Sequence, residues 1–108
     1  MNMPKYVVIS SHPPESCPSG NKALREVGKN LDKNLPPLMQ KHMVKPVMDI
    51  LHLDPGHKVL WVFEAPNAEA VRDFIYESGL STWNDFEFYM TSTLPEITSW
   101  TEKLPNVW

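Results

Sequence analysis

The chain has 108 residues, 42% of them hydrophobic and 21% charged, which suits one globular domain with a real core and excludes wholesale disorder. A formal net charge of −3 with no block of like charges excludes a phosphate-tracking surface, so nucleic acid is not an expected partner. The single cysteine, Cys17, has no internal disulfide partner and fits a reducing compartment, with an intermolecular bridge left open. No apolar run approaches a membrane span, and the start of the chain has no h-region of signal-peptide length. The expectation is therefore a cytoplasmic protein without a membrane partner.

Tyr6, Val7, Val8 and Ile9 are apolar at consecutive positions, the pattern of a strand covered on both faces and central in its sheet. The segment from Ser10 to Asn21 follows, carrying His12, Glu15, Cys17 and the prolines Pro13, Pro14 and Pro18. Each proline fixes its own φ and turns the preceding residue away from the helical region, so the segment is stiff, as a site loop would be. Ser19 or Asn21 caps a helix whose Leu24, Val27, Leu31 and Leu35 recur at helical spacing. Pro36-Pro37 is expected to end or sharply kink it, and a second helical piece continues through Leu38, Met39, His42 and Met43.

Val47, Asp49, Leu51 and Leu53 alternate with Met48, Ile50 and His52 as a strand. Asp54-Pro55-Gly56-His57 is turn chemistry, and Lys58 to Ala65 forms the second arm of a hairpin. Asn67 caps a helix carrying Val71, Phe74 and Ile75, with Gly79 as its C′ residue. Phe86 to Thr91 alternates as the last strand. Thr93 and Glu96 have capping-box spacing ahead of Ile97 and Trp100, which predicts a short terminal helix or turn on the sheet edge.

With right-handed crossovers this order is an α+β, ferredoxin-like βαββαβ domain over residues 1–108. It has a four-stranded antiparallel sheet with two helices on one face. The strands are apolar on both faces and the helices cover one, so a second copy packed face to face would bury the other. The element order spans nearly the whole chain. With it stand Ser11-His12-Pro13-Pro14-Glu15-Ser16-Cys17-Pro18, Asp54-Pro55-Gly56-His57-Lys58, Trp61-Val62-Phe63-Glu64-Ala65-Pro66 and Trp83-Asn84. On these the sequence resembles the dimeric α+β barrel superfamily, which includes cofactor-free monooxygenases, muconolactone-isomerase-like enzymes and stress-responsive barrel proteins. Within it the motifs are similar to those of a group of uncharacterised small prokaryotic proteins. The resemblance implies the fold and a homodimer, and no particular activity.

In such a sheet the C-terminal end of the first strand meets the beginnings of its two neighbours. That topology brings His12, Cys17, His57, Trp83 and Asn84 to one end, where the first helix opens. Imidazole and thiolate suit zinc, iron, copper or nickel, so His12, Cys17 and His57 are the candidate metal ligands. Their spacing matches no compact metal motif, and turn histidines with a buried free cysteine are the plainer alternative. Cys17 ahead of a helix N-terminus is also a candidate nucleophile or redox thiol.

Glu64, with His57, is a candidate catalytic acid or base if it points into a barrel; at a strand end it instead reaches solvent. Asp49 invites the same question on an edge strand. Met39, His42 and Met43 fit a soft copper(I) site or, far more commonly, core packing. Trp61, Phe63, Trp83, Phe86 and Phe88 line an aromatic pocket or fill a core. The chain has no glycine-rich phosphate loop, H-E-x-x-H or G-x-S-x-G, so no nucleotide and no serine-hydrolase chemistry are expected. Two readings stay open: a metal- or small-molecule-binding protein with a His/Cys site, and a cofactor-free oxygenase or isomerase acting on a small apolar or aromatic substrate through Glu64 and a histidine.

Overall fold

The apolar run near the start of the chain becomes the spine of the structure, a computed structural model that describes residues 3–106. Strand β1 (Lys5–Ser11) lies antiparallel between β4 (Lys58–Glu64) and β5 (Asp85–Met90), with Val8 opposite Trp61 on one side and Phe88 on the other. Helix α1 (Lys22–His42) follows β1, and α2 (Ala68–Ser78) joins β4 to β5. Two short strands, β2 (Lys45–Pro46) and β3 (Leu51–Leu53), both pair with β4, and α3 (Leu94–Thr101) ends the described chain. The protein is therefore α+β, with three α-helices and one antiparallel sheet of five strands among the described residues.

Five strands replace the expected four because only Leu51–Leu53 of the predicted strand from Val47 to Leu53 pairs as a strand, and Lys45–Pro46 ahead of it forms an additional short one. Pro46 pairs with Phe63 and Leu51 with Leu60, so the residues from Val47 to Ile50 face only Trp61 and Val62. The surplus bulges out, which an edge strand tolerates because no further strand needs its register. Asp49 thus sits in a bulge, exposed.

Helix α1 also departs from expectation, running unbroken through Pro36 and Pro37. Both prolines are exposed, as are Asp32 and Lys33 four residues earlier, whose carbonyls lose their amide partners and face water. On the opposite side Leu31, Leu35, Leu38 and Met39 form one stripe on the core. That packing holds both halves in line. Asn21 is the N-cap, accepting the Leu24 amide at 3.1 Å, whereas Val27 is 43% exposed and lies off the stripe.

The core lies between the sheet and the two longer helices. Tyr6, Val8, Trp61 and Phe63 meet Leu35 of α1 and Val71, Phe74 and Ile75 of α2. The other sheet face carries Val7, Ile9, Leu60 and Val62, all partly exposed, with Leu51 and Tyr89 open. Helix α3 is capped by Thr93 as its spacing predicts, yet it makes at most marginal contact with other elements. No helix among the described residues is long and apolar enough to cross a membrane.

Pro36→Ala restores a missing helix hydrogen bond at a solvent-facing position. It is expected to stabilise the protein by roughly 1–3 kcal/mol in urea unfolding. A loss of stability would show that the proline has a role that α1 packing does not explain.

Candidate metal centre

The antiparallel ladder of β1 and β4 continues one step past both strands, where the His12 amide donates to the His57 carbonyl at 3.1 Å. Side chains directly opposite in such a ladder share a face. The His12 and His57 rings accordingly stand 5.5 Å apart between centroids, tilted at 60°. They lie on the helix-covered side with Ser10 and Trp61, whose indole donates to the Ser10 hydroxyl at 2.9 Å.

Cys17 is brought to them by the proline loop. A short 3₁₀ turn over Pro14–Ser16 reverses the chain, and the Cys17 carbonyl accepts the amides of Gly20 and Asn21 at 3.0 and 2.8 Å. The Arg25 guanidinium donates to the carbonyls of Pro18 and Ser19 at 3.1 and 2.9 Å. The Asn21 side-chain amide donates to the Glu15 carbonyl. The loop is thus fastened to the first turn of α1 as well as stiffened by its prolines. One ligating atom from each of His12, Cys17 and His57 lies within 4.8 Å of the other two. A tetrahedral ion with bonds of ~2.3 Å to sulfur and ~2.0 Å to nitrogen needs them ~3.3–3.5 Å apart. Side-chain adjustments of about an ångström close that gap without moving the backbone.

The protonation pattern is set by a neighbour. Asn84 directs its amide nitrogen to the Leu80 carbonyl at 3.1 Å, which turns its Oδ1 towards His12 Nδ1, also at 3.1 Å. His12 therefore donates from Nδ1 and keeps the lone pair on Nε2. That Nε2 and the Nδ1 of His57 are buried with no hydrogen-bond partner. Trp83 packs on His12 at 5.4 Å between ring centroids.

Cys17 is 8% exposed, and its sulfur lies 2.9 Å from the Ser19 hydroxyl. That hydroxyl first, then the His12 imidazole and the Ser19 backbone, lower the thiol to about 6; burial opposes them and His57 adds a smaller pull. The sequence placed Cys17 before a helix N-terminus, but the main cause is a serine two residues on. The sequence offers Ser19 as an alternative helix cap, and nothing in its spacing marks it as the partner of the thiol. An S-x-S or C-x-S pattern is too common to be a signal.

The remaining candidates fall elsewhere. Glu64 ends β4 while His57 precedes it, seven residues of extended chain or roughly 20 Å away, so the structure does not bring this pair together within one chain. His42 is engaged by Glu77 of α2, which also pairs with Lys41. Met43 is the left-handed C-cap of α1 and is 62% exposed. A copper site with Met39 is thereby dismantled. Trp61 and Phe63 are core residues, while Trp83 and Phe86 are partly buried against it.

A cleft of about 310 Å³ borders the cluster, with His12 and Cys17 on one side and Leu31, Val59, Trp61, Leu80 and Trp83 around it. A larger cleft of about 440 Å³ between α2 and β5 contains none of the three clustered residues. His52, absent from the candidate residues, also reaches the smaller cleft, its Nδ1 held by Asp54 at 2.7 Å. Its strand parity beside Val59 would have placed it there.

No protein-family profile and no curated protein matches the chain. Among solved structures it is similar to a de novo designed protein, Ferredog-Diesel, at 12% identity and a TM-score of 0.49, covering 82% of this chain and 86% of that one.

Because the folded thiol sits below its ordinary range, the thiolate is present above pH about 6 and is lost as pH falls through that value. In metal-free protein the ultraviolet thiolate absorbance should rise with a midpoint near 6, and Ser19→Ala should move the midpoint upward. A wild-type midpoint at the ordinary thiol value would show that the sulfur is not activated.

Proposed function

We propose that this protein binds a transition metal ion through the imidazoles of His12 and His57 and the thiolate of Cys17. The observation that carries this reading is the pair of buried, unpartnered imidazole nitrogens beside a low-pKa thiol. A buried polar atom without a partner costs about 1–3 kcal/mol, and one ion would satisfy two of them together. Asn84 supports the reading, since a ligating histidine ordinarily donates its other nitrogen to a fixed acceptor. The donor set suits zinc, iron, copper or nickel. Three protein ligands leave one position free, as in sites that bind or transform a further molecule.

Protein purified without a histidine tag is expected to carry about one transition-metal ion per chain by elemental analysis. Cys17→Ser is expected to lose it while far-ultraviolet dichroism stays unchanged. The affinity for the ion should weaken progressively as pH falls below about 6, where protons begin to compete for the sulfur. Wild-type protein that takes up none of the four metals at neutral pH would end this reading.

We further infer that the chain has the ferredoxin-like arrangement and that a second copy closes it into a dimeric α+β barrel. Uncovered surface supports this. The sheet face opposite the helices is apolar at Val7, Ile9, Leu60 and Val62, with Glu87 opposite Ile9 and charged residues towards its ends, and α3 and the turn after it expose Leu94, Ile97, Trp100 and Leu104 at helical spacing. The radius of gyration is 16.6 Å, against ~13 Å for a compact domain of this length. An arm that finds no seat on its own body fits a seat on a partner. Light scattering at micromolar concentration should give a dimer, and Leu60→Lys on the open face should weaken it. A monomeric wild type would overturn the barrel.

A further inference from the structure

Two of the three proposed ligands, His12 and Cys17, also line the adjacent cleft of about 310 Å³. They do so together with Leu31, Val59, Leu80 and the indoles of Trp61 and Trp83, and Ser10, Pro18, Ser19, His52 and Asn84 complete the wall. We propose that this cleft binds a small aromatic monoanion, with its anionic donor on the ion and its ring between the two tryptophans. The proposal rests on the metal reading above.

Charge selects the donor. A divalent ion with one thiolate and two neutral imidazoles retains a single positive charge, which one anionic oxygen or sulfur cancels. Neutral centres are favoured where the surroundings are apolar, because an uncompensated charge there lacks the solvation water would give. The walls select the rest. A hydrated, polyhydroxylated molecule would lose its water against aliphatic and indole surface without replacement, whereas a flat ring gains from both burial and indole contact. The volume lies at the low end for small-molecule clefts, enough for one ring with substituents. Apart from the ligands, His52 is the titratable side chain on the cleft wall. Its Nδ1 is engaged by Asp54, which leaves Nε2 for a polar substituent on the bound molecule.

The test uses the full chain loaded with cobalt(II), whose thiolate and ligand-field bands report the coordination sphere. Benzoate and acetate offer the same donor, one with a ring and one without. Benzoate is expected to shift the bands at concentrations at least about tenfold lower than acetate. Leu31→Phe, on the helix wall, should remove that advantage while leaving the bands of the unliganded protein in place. Val59→Phe, on the strand wall, is the second filling variant should the first fail to fold. Benzoate acting no better than acetate, or keeping its advantage in the filled variants, would overturn the cleft proposal and leave the metal reading intact. Absence of thiolate-to-cobalt bands in the wild type would overturn both.

Discussion

The register between β1 and β4 is the constraint on which everything else at this end of the molecule depends. From Lys5 opposite Glu64 to Ser11 opposite Lys58 it is unbroken, and the His12 amide extends it onto the His57 carbonyl. Because side chains alternate with a period of two, a slip of one residue in either strand would send one imidazole to the open face. Register here is held by apolar residues that must lie under the helices, Val8, Trp61 and Phe63 among them. Core packing and site geometry are thus one requirement, to which Asn84 adds the orientation of the His12 ring.

The thiol depends on a different logic. Its loop has no ladder, so the chain supplies local substitutes: prolines that limit φ, a 3₁₀ turn, the Asn21 cap and the Arg25 clamp on two carbonyls. These interactions are all within nine residues of Cys17 and survive independently of the sheet. A site assembled from one long-range element and one self-contained loop has two nearly separate sources of order. Each has its own polar fitting: Ser19 on the sulfur within the loop and Asn84 on the imidazole at the sheet end.

The convergence of His12, Cys17 and His57 was legible because it follows from strand neighbours, and strand neighbours follow from element order. What lay beyond reach depended on side chains meeting across elements. Pro36-Pro37 read as a break because local propensity says so; the stripe of Leu31, Leu35, Leu38 and Met39 outweighs that when the prolines face water. The edge strand read as continuous because alternation carries no information about a bulge. Glu64 stood out as a charge in an apolar strand, yet it lies at the strand end remote from the histidines. Arg25 and Ser19 bear common residue types at unremarkable spacing, and their work is visible only in three dimensions.

The adjacent prolines in α1 have a further effect on how the two ends of the helix are connected. Without amides at positions 36 and 37, the hydrogen-bond ladder lacks two consecutive rungs between the half of the helix that carries the thiol loop and the half that Glu77 fastens to α2. The Lys22 end is therefore linked to the end docked on α2 by fewer backbone bonds than an unbroken ladder would supply, and side-chain packing along the stripe carries the connection instead.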